Sequence, residues 1–118
     1  MTIARLAVAP GPLGLRAAVT AFAAGHGAVL LVAPGTIPDA AVLALAEAEL
    51  SAPMTAVVGP RPGGTLAVLG LTELVPALLA LGGADAASEA VRLAAEAGLA
   101  VVVLPEAPSR DAPHAGPA

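Results

Sequence analysis

The chain has no cysteine, lysine, tryptophan or tyrosine, and Phe22 is its only aromatic residue. Without cysteine there is no disulfide, no thiol nucleophile and no thiolate ligand for a metal. Its only permanent cations are five arginines scattered along 118 residues, and the formal net charge is −4. A nucleic-acid backbone binder needs a basic stripe, so that class is excluded; a mildly acidic surface mostly reports solubility. The two histidines, His26 and His114, are too far apart for a metal spacing, and no acidic cluster suggests magnesium. Cofactor signatures are missing as well. No Gly-Lys-Ser/Thr phosphate loop and no G-x-G-x-x-G after a strand occurs, and there is no nucleophile elbow. The N-terminus lacks a basic region followed by an apolar run and a cleavage site, so a cytoplasmic protein is expected.

What the chain has in abundance is aliphatic side chains. Hydrophobic residues make up 58% of it and the mean hydropathy is +0.89. A spanning helix needs ~20 consecutive apolar residues. The longest uncharged run, between Arg16 and Asp39, is interrupted by Gly25, His26, Gly27, Pro34, Gly35 and Pro38. The better source of such hydropathy is a parallel sheet covered on both faces, whose strands are apolar at every position. The length fits one domain able to bury a core without staples.

Four apolar runs end on a proline: Leu6–Pro10, Leu30–Pro34, Ala56–Pro60 and Val101–Pro105. Strands are expected over 3–9, 28–33, 54–58 and 99–104, with a fifth possible at 65–69. Between them lie helical patterns. Pro12 opens the first near its first turn, with Leu15, Ala18, Val19, Phe22 and Ala23 as its apolar face and Gly25 as its stop. Thr36, with Asp39 three residues on, caps the second, whose stripe is Val42, Leu43, Leu45, Ala46 and Leu50, leaving Glu47 and Glu49 in water. A third begins at Thr72-Glu73, and Asp85 caps a fourth that closes at Gly98. Strand and helix alternation predicts an α/β fold: a small three-layer domain with a mainly parallel sheet of four or five strands, over residues 1–106. Residues 107–118 are rich in proline and alanine without periodicity, and a disordered tail is expected.

Ligands in such sheets bind at the carboxyl ends of the strands. That places the candidate site in the Gly59–Gly64 loop, G-P-R-P-G-G. Arg61 supplies charge in a stiff frame, and Gly63 and Gly64 are able to turn backbone N–H groups toward an anion. Glu106, just past the last strand, falls at the same edge. Thr36 and Asp39 do too, although capping explains both. His26 lies between two glycines with no partner at a suggestive spacing. No catalytic residue, metal ligand or cofactor is assigned.

Three segments in order resemble 3,4-dihydroxy-2-butanone 4-phosphate synthase, the riboflavin-pathway enzyme: Leu15–Val32 with its Gly-His-Gly-Ala-Val-Leu-Leu-Val; Thr36–Val58 with Leu69-Gly70-Leu71; and Ser88–Glu106 with Glu89-Ala90 and Ala97-Gly98-Leu99. That family's acidic loop would fall after Val32, where this chain has Ala33-Pro34-Gly35, and its histidine would fall at Ala87. The resemblance therefore implies a related fold that has lost the catalytic motifs. Val58-Gly59-Pro60-x-Pro62 with Gly70-Leu71-x-x-Leu74-x-Pro76 resembles the C-terminal half of STAS domains, with Pro38-Asp39-Ala40-Ala41 where those carry a phosphorylatable Asp-Ser. This second resemblance implies a partner-binding regulatory module.

The polar inventory is too thin for a catalytic constellation. The sequence thus favours a binding or accessory protein, a pseudoenzyme with an anion site for a small metabolite, over an enzyme of unidentified reaction. Surplus apolar surface on so small a chain favours self-association or a protein partner, with no role for nucleic acid or membrane.

Overall fold

A computed structural model describes residues 2–34, 40–83 and 85–105. The described residues form five strands, β1 (Ile3–Leu6), β2 (Ala28–Val32), β3 (Thr55–Pro60), β4 (Leu66–Leu71) and β5 (Ala100–Val103), in one sheet of order β1-β2-β4-β3-β5. The helices are α1 (Pro12–Ala23), α2 (Ala40–Glu49), α3 (Pro76–Leu79) and α4 (Ala86–Glu96).

The sheet is mixed. β1 pairs parallel with β2 and β3 with β5, whereas β4 runs antiparallel to both of its neighbours, β2 and β3. Four strands therefore point one way and β4 alone is reversed. This makes the 65–69 segment a full central strand, buried at every position from Leu66 to Leu71. The reversal follows from the loop before it. Gly64 N–H donates to the Arg61 carbonyl at 3.0 Å and Arg61 N–H to the Thr65 carbonyl at 2.8 Å. With Pro62 second and Gly63 third at φ 95°, Arg61–Gly64 has the plan of a type II turn. The G-P-R-P-G-G stretch is a hairpin connection, which returns the chain antiparallel.

Two apolar clusters sit on opposite faces of the sheet. α1, α3 and α4 contribute Ala18, Ala21, Leu78, Leu79, Ala90 and Ala94 to one, against Val29, Leu31, Val58, Leu69 and Leu71. On the other face Ala46 of α2 and Leu50, just past its end, pack over Leu30, Val57 and Val68. Alternation along β2 sends Val29 and Leu31 one way and Leu30 the other. Small residues on α1 and α4 let those helices lie close to the sheet. The expected three layers are met in part, since α2 is the one described helix on the second face. Leu45 is exposed, and Glu47 is half-buried because it accepts a hydrogen bond from Arg5 at 2.6 Å. Val19 of α1 also stays exposed.

Some element bounds differ from the sequence reading. β1 ends at Leu6, so residues 7–9 run on as loop. Thr72 opens no helix. Its hydroxyl is buried beside β3, accepting from Thr55 N–H at 2.8 Å, while Thr72 N–H donates to the Thr55 carbonyl at 3.1 Å. This clamp closes the open end of the β3–β4 hairpin, and losing it would strand a buried donor at a cost of about 1–3 kcal/mol. The following helix waits for Pro76, which occupies its first turn. Asp85 stands at the N-cap of α4 but makes no capping hydrogen bond with its side chain. Thr36, Asp39, Glu106, His114 and the 107–118 segment lie outside the described residues. No helix of the described residues is long and apolar enough to cross a membrane.

Candidate functional site

Because four strands share a direction, the loops leaving β1, β2 and β3 gather at one edge of the sheet, where β4 enters. A cleft of about 220 Å³ opens there. Ala9-Pro10 and Ala33-Pro34, two of the proline-ended runs, form one wall. Arg61, Thr65 and Leu66 form the hairpin side, and Leu81, Gly82, Gly83 and Ala86 close it from the α3–α4 connection and the first residue of α4. Arg61 and Thr65 alone among these described lining residues carry polar side chains, and none is acidic.

Arg61 is held across the sheet. Its Nη2 donates to the Pro34 carbonyl at 3.2 Å, so the side chain reaches over the amino end of β4 to the end of β2. The guanidinium thus sits on a rigid turn in a cleft whose other described walls are mostly aliphatic. A proline on each side, Pro60 and Pro62, limits how far its backbone can move.

The two glycines expected to face an anion have another task. Neither lines the cleft. Gly64 spends its N–H on the turn, and its carbonyl accepts from Ala87 N–H at 2.9 Å, which ties the hairpin to the first turn of α4. Gly63 takes φ 95° as a turn residue. Gly82 and Gly83 border the cleft instead. The sequence shows these only as a helix break, and nothing local to them points to Arg61. The positive end of α4 also faces this region. Its first amides are used, however: Ala86 N–H bonds the Gly83 carbonyl and Ala87 N–H the Gly64 carbonyl. The charge among the described lining residues is therefore Arg61.

His26 is at the other edge of the sheet, before β2, where Thr2 Oγ1 lies 3.0 Å from its Nδ1. The ion pairs of Arg92 are also elsewhere. Arg92 pairs with Glu89 at 2.7 Å and with Glu96 at 2.8 Å on the outside of α4. The Arg92 hydrogen bond and charge hold the Glu89 carboxyl below its usual range. None of the three lines the cleft. Among the described residues no three histidine or acidic side chains group as metal ligands.

No family model matches the chain, and no curated protein does. One solved structure is similar in fold: a protein assigned as a nucleotide-diphospho-sugar transferase from Desulfovibrio desulfuricans G20, with a TM-score of 0.73 at 23% identity. The match covers 83% of this chain and 45% of that one. This chain thus spans less than half the length of that structure, and the likeness is one of fold.

Proposed function

We propose that the cleft binds a small phosphorylated or carboxylate metabolite and that the chain works by binding rather than by catalysis. The observation that carries this reading is Arg61, a guanidinium fixed in a cleft at the carboxyl ends of parallel strands. A guanidinium presented this way suits a planar or tetrahedral oxyanion, with hydrogen bonds from more than one nitrogen. Thr65 offers a single further hydroxyl. One cation and one hydroxyl can hold and orient an anion, and among the described lining residues no side chain is a general base. Two likenesses point to the same charge class. The structural neighbour is named for a diphosphate-bearing sugar, and the riboflavin-pathway family for a sugar phosphate. Under this reading the chain is an accessory protein that keeps a ligand site without the chemistry.

The expected result of Arg61→Ala is at least a tenfold loss of affinity for inorganic phosphate or pyrophosphate, read by isothermal titration or by amide shift changes at Thr65 and Gly82. Unchanged affinity, or no binding by the parent chain at millimolar concentration, would overturn the reading.

A second reading is self-association, for which the STAS-like module would be one form. Val103 is 58% exposed on β5, an edge strand whose outer backbone groups have no ladder partner among the described strands. Such an edge invites strand addition from a second copy. Sedimentation is expected to show a dimer that Val103→Lys dissociates; a parent chain that stays monomeric at tens of micromolar removes this reading.

A further inference from the structure

We infer that the ligand of the Arg61 cleft is an amphiphilic anion, a phosphate or carboxylate head carrying an aliphatic chain. The inference rests on the anion reading above and adds the nature of the rest of the molecule. A second depression of about 460 Å³ adjoins the cleft, and the two share Ala9, Pro10 and Pro34 as a common wall. Pro34 is also the residue whose carbonyl holds Arg61. A head bound at the guanidinium therefore has its substituent directed along this wall.

The chemistry of the second depression selects the substituent. Its remaining described lining includes Val8, Pro12 and Leu13, and no described residue around it has a polar or aromatic side chain. Among the described residues a nucleobase would find no ring to stack on, and a sugar no side chain to bond its hydroxyls. Sites that take polar ligands place a few polar groups among apolar ones; here only the shared cleft has them. Leu13 is the most exposed large apolar residue described, at 69%. It stands second in α1, in a first turn that carries no acidic residue, a position where exposed polar or acidic residues are the favourable choice. An aliphatic chain lying over Leu13 removes that surface from water. Size agrees. The cleft alone falls below the ~300–1,000 Å³ usual for small-molecule sites, and the adjoining groove brings the pair into that range.

The test is a homologous series. Inorganic phosphate, methyl, butyl and hexyl phosphate are titrated into the full chain by calorimetry, all at concentrations below micelle formation. Affinity is expected to rise roughly fourfold for each methylene buried. In Leu13→Ser the rise should flatten while inorganic phosphate still binds, and in Arg61→Ala every member should weaken. If phosphate binds through Arg61 but affinity does not rise with chain length, the amphiphile inference falls and the anion reading stands. If no member binds, both fall. A rise that survives Leu13→Ser places the chain elsewhere and overturns the inference, as does adenosine monophosphate binding more tightly than hexyl phosphate.

Discussion

Replacing Leu50 by alanine should cost about 3–4 kcal/mol of unfolding free energy in urea titrations, near the upper part of the range for buried leucines. Leu50 is fully buried just past the end of α2, and α2 is the one described helix on its face of the sheet. Its partners there are few, so the space left behind has little to collapse into it. Gly70 shows how closely this leucine is seated. A β-carbon on Gly70 would lie 2.8 Å from Leu50 Cδ1 and 3.1 Å from Leu30 Cδ1. The glycine next to the end of β4 is thus a socket for the leucine. This gives the prediction a second arm. Gly70→Ala should destabilise the parent chain, because the leucine must shift, but should recover part of the loss in the Leu50→Ala background. The two changes are in contact, so non-additivity is the expected signature. A cost below 1 kcal/mol for Leu50→Ala, or strict additivity with Gly70→Ala, would mean that α2 is not seated on β4 as described.

Gly14→Val is expected to cost roughly 3 kcal/mol, the upper end of ordinary overpacking. A β-carbon at Gly14 would stand 2.5 Å from the Ala9 carbonyl oxygen. That oxygen belongs to the backbone of the loop between β1 and α1, so a rotamer change cannot relieve the contact. Valine adds a branched carbon toward Leu31, whose Cδ1 is already 3.4 Å from the same point. The helix must move outward or the loop must move away. Either displacement reaches the ligand site, because Ala9 and Pro10 form a wall of the cleft. The variant should therefore lose stability and phosphate affinity together, measured as a lower denaturation midpoint and a weaker titration. A variant with parent-like midpoint would show that α1 is not packed against the loop at this glycine.

The contrast between these two glycines explains what the sequence made legible. Periodicity and punctuation are local, and they place the helix between Pro12 and Gly25, the end of α4 at Gly98 and the apolar runs other than the first within a residue or two. Close approach is not local. Nothing around Gly14 or Gly70 distinguishes them from ordinary helix or strand glycines, since the atoms that exclude a side chain come from Ala9 and Leu50. Strand direction is hidden for the same reason. The alternation of strands and helices suggests crossover connections, but the 55–71 segment has no helix in it. The turn geometry at Pro62 and Gly63 is what reverses β4. Thr72 reads as a helix start because threonine caps helices, and only the proximity of Thr55 reveals its actual bonds. For the site, Arg61 and the proline-ended strand edges were visible, because charge is rare in this chain and the carboxyl edge is where α/β sheets bind. Gly82, Gly83 and Leu81 were not, because the α3–α4 connection is brought to that edge only by the way the two helices lie on the sheet.

The reversed strand has a consequence for how the chain acquires its structure. β4 is the only described strand that joins β1–β2 to β3–β5. Its pairing with β3 is a short-range event across one turn. Its pairing with β2 brings Val32 to Val68, and that contact must enclose all of α2 and the hairpin before it forms. The entropy of closing such a loop is lost before the contact is made, so this late step should limit the rate. On the ribosome, β1, α1 and β2 emerge well ahead of the strand that will cover the open edge of β2. Until Leu66–Leu71 has been synthesised, that edge, Leu30 and Leu31 included, is exposed to other chains. The order of residues along the chain therefore sets the interval in which this protein is most prone to associate wrongly.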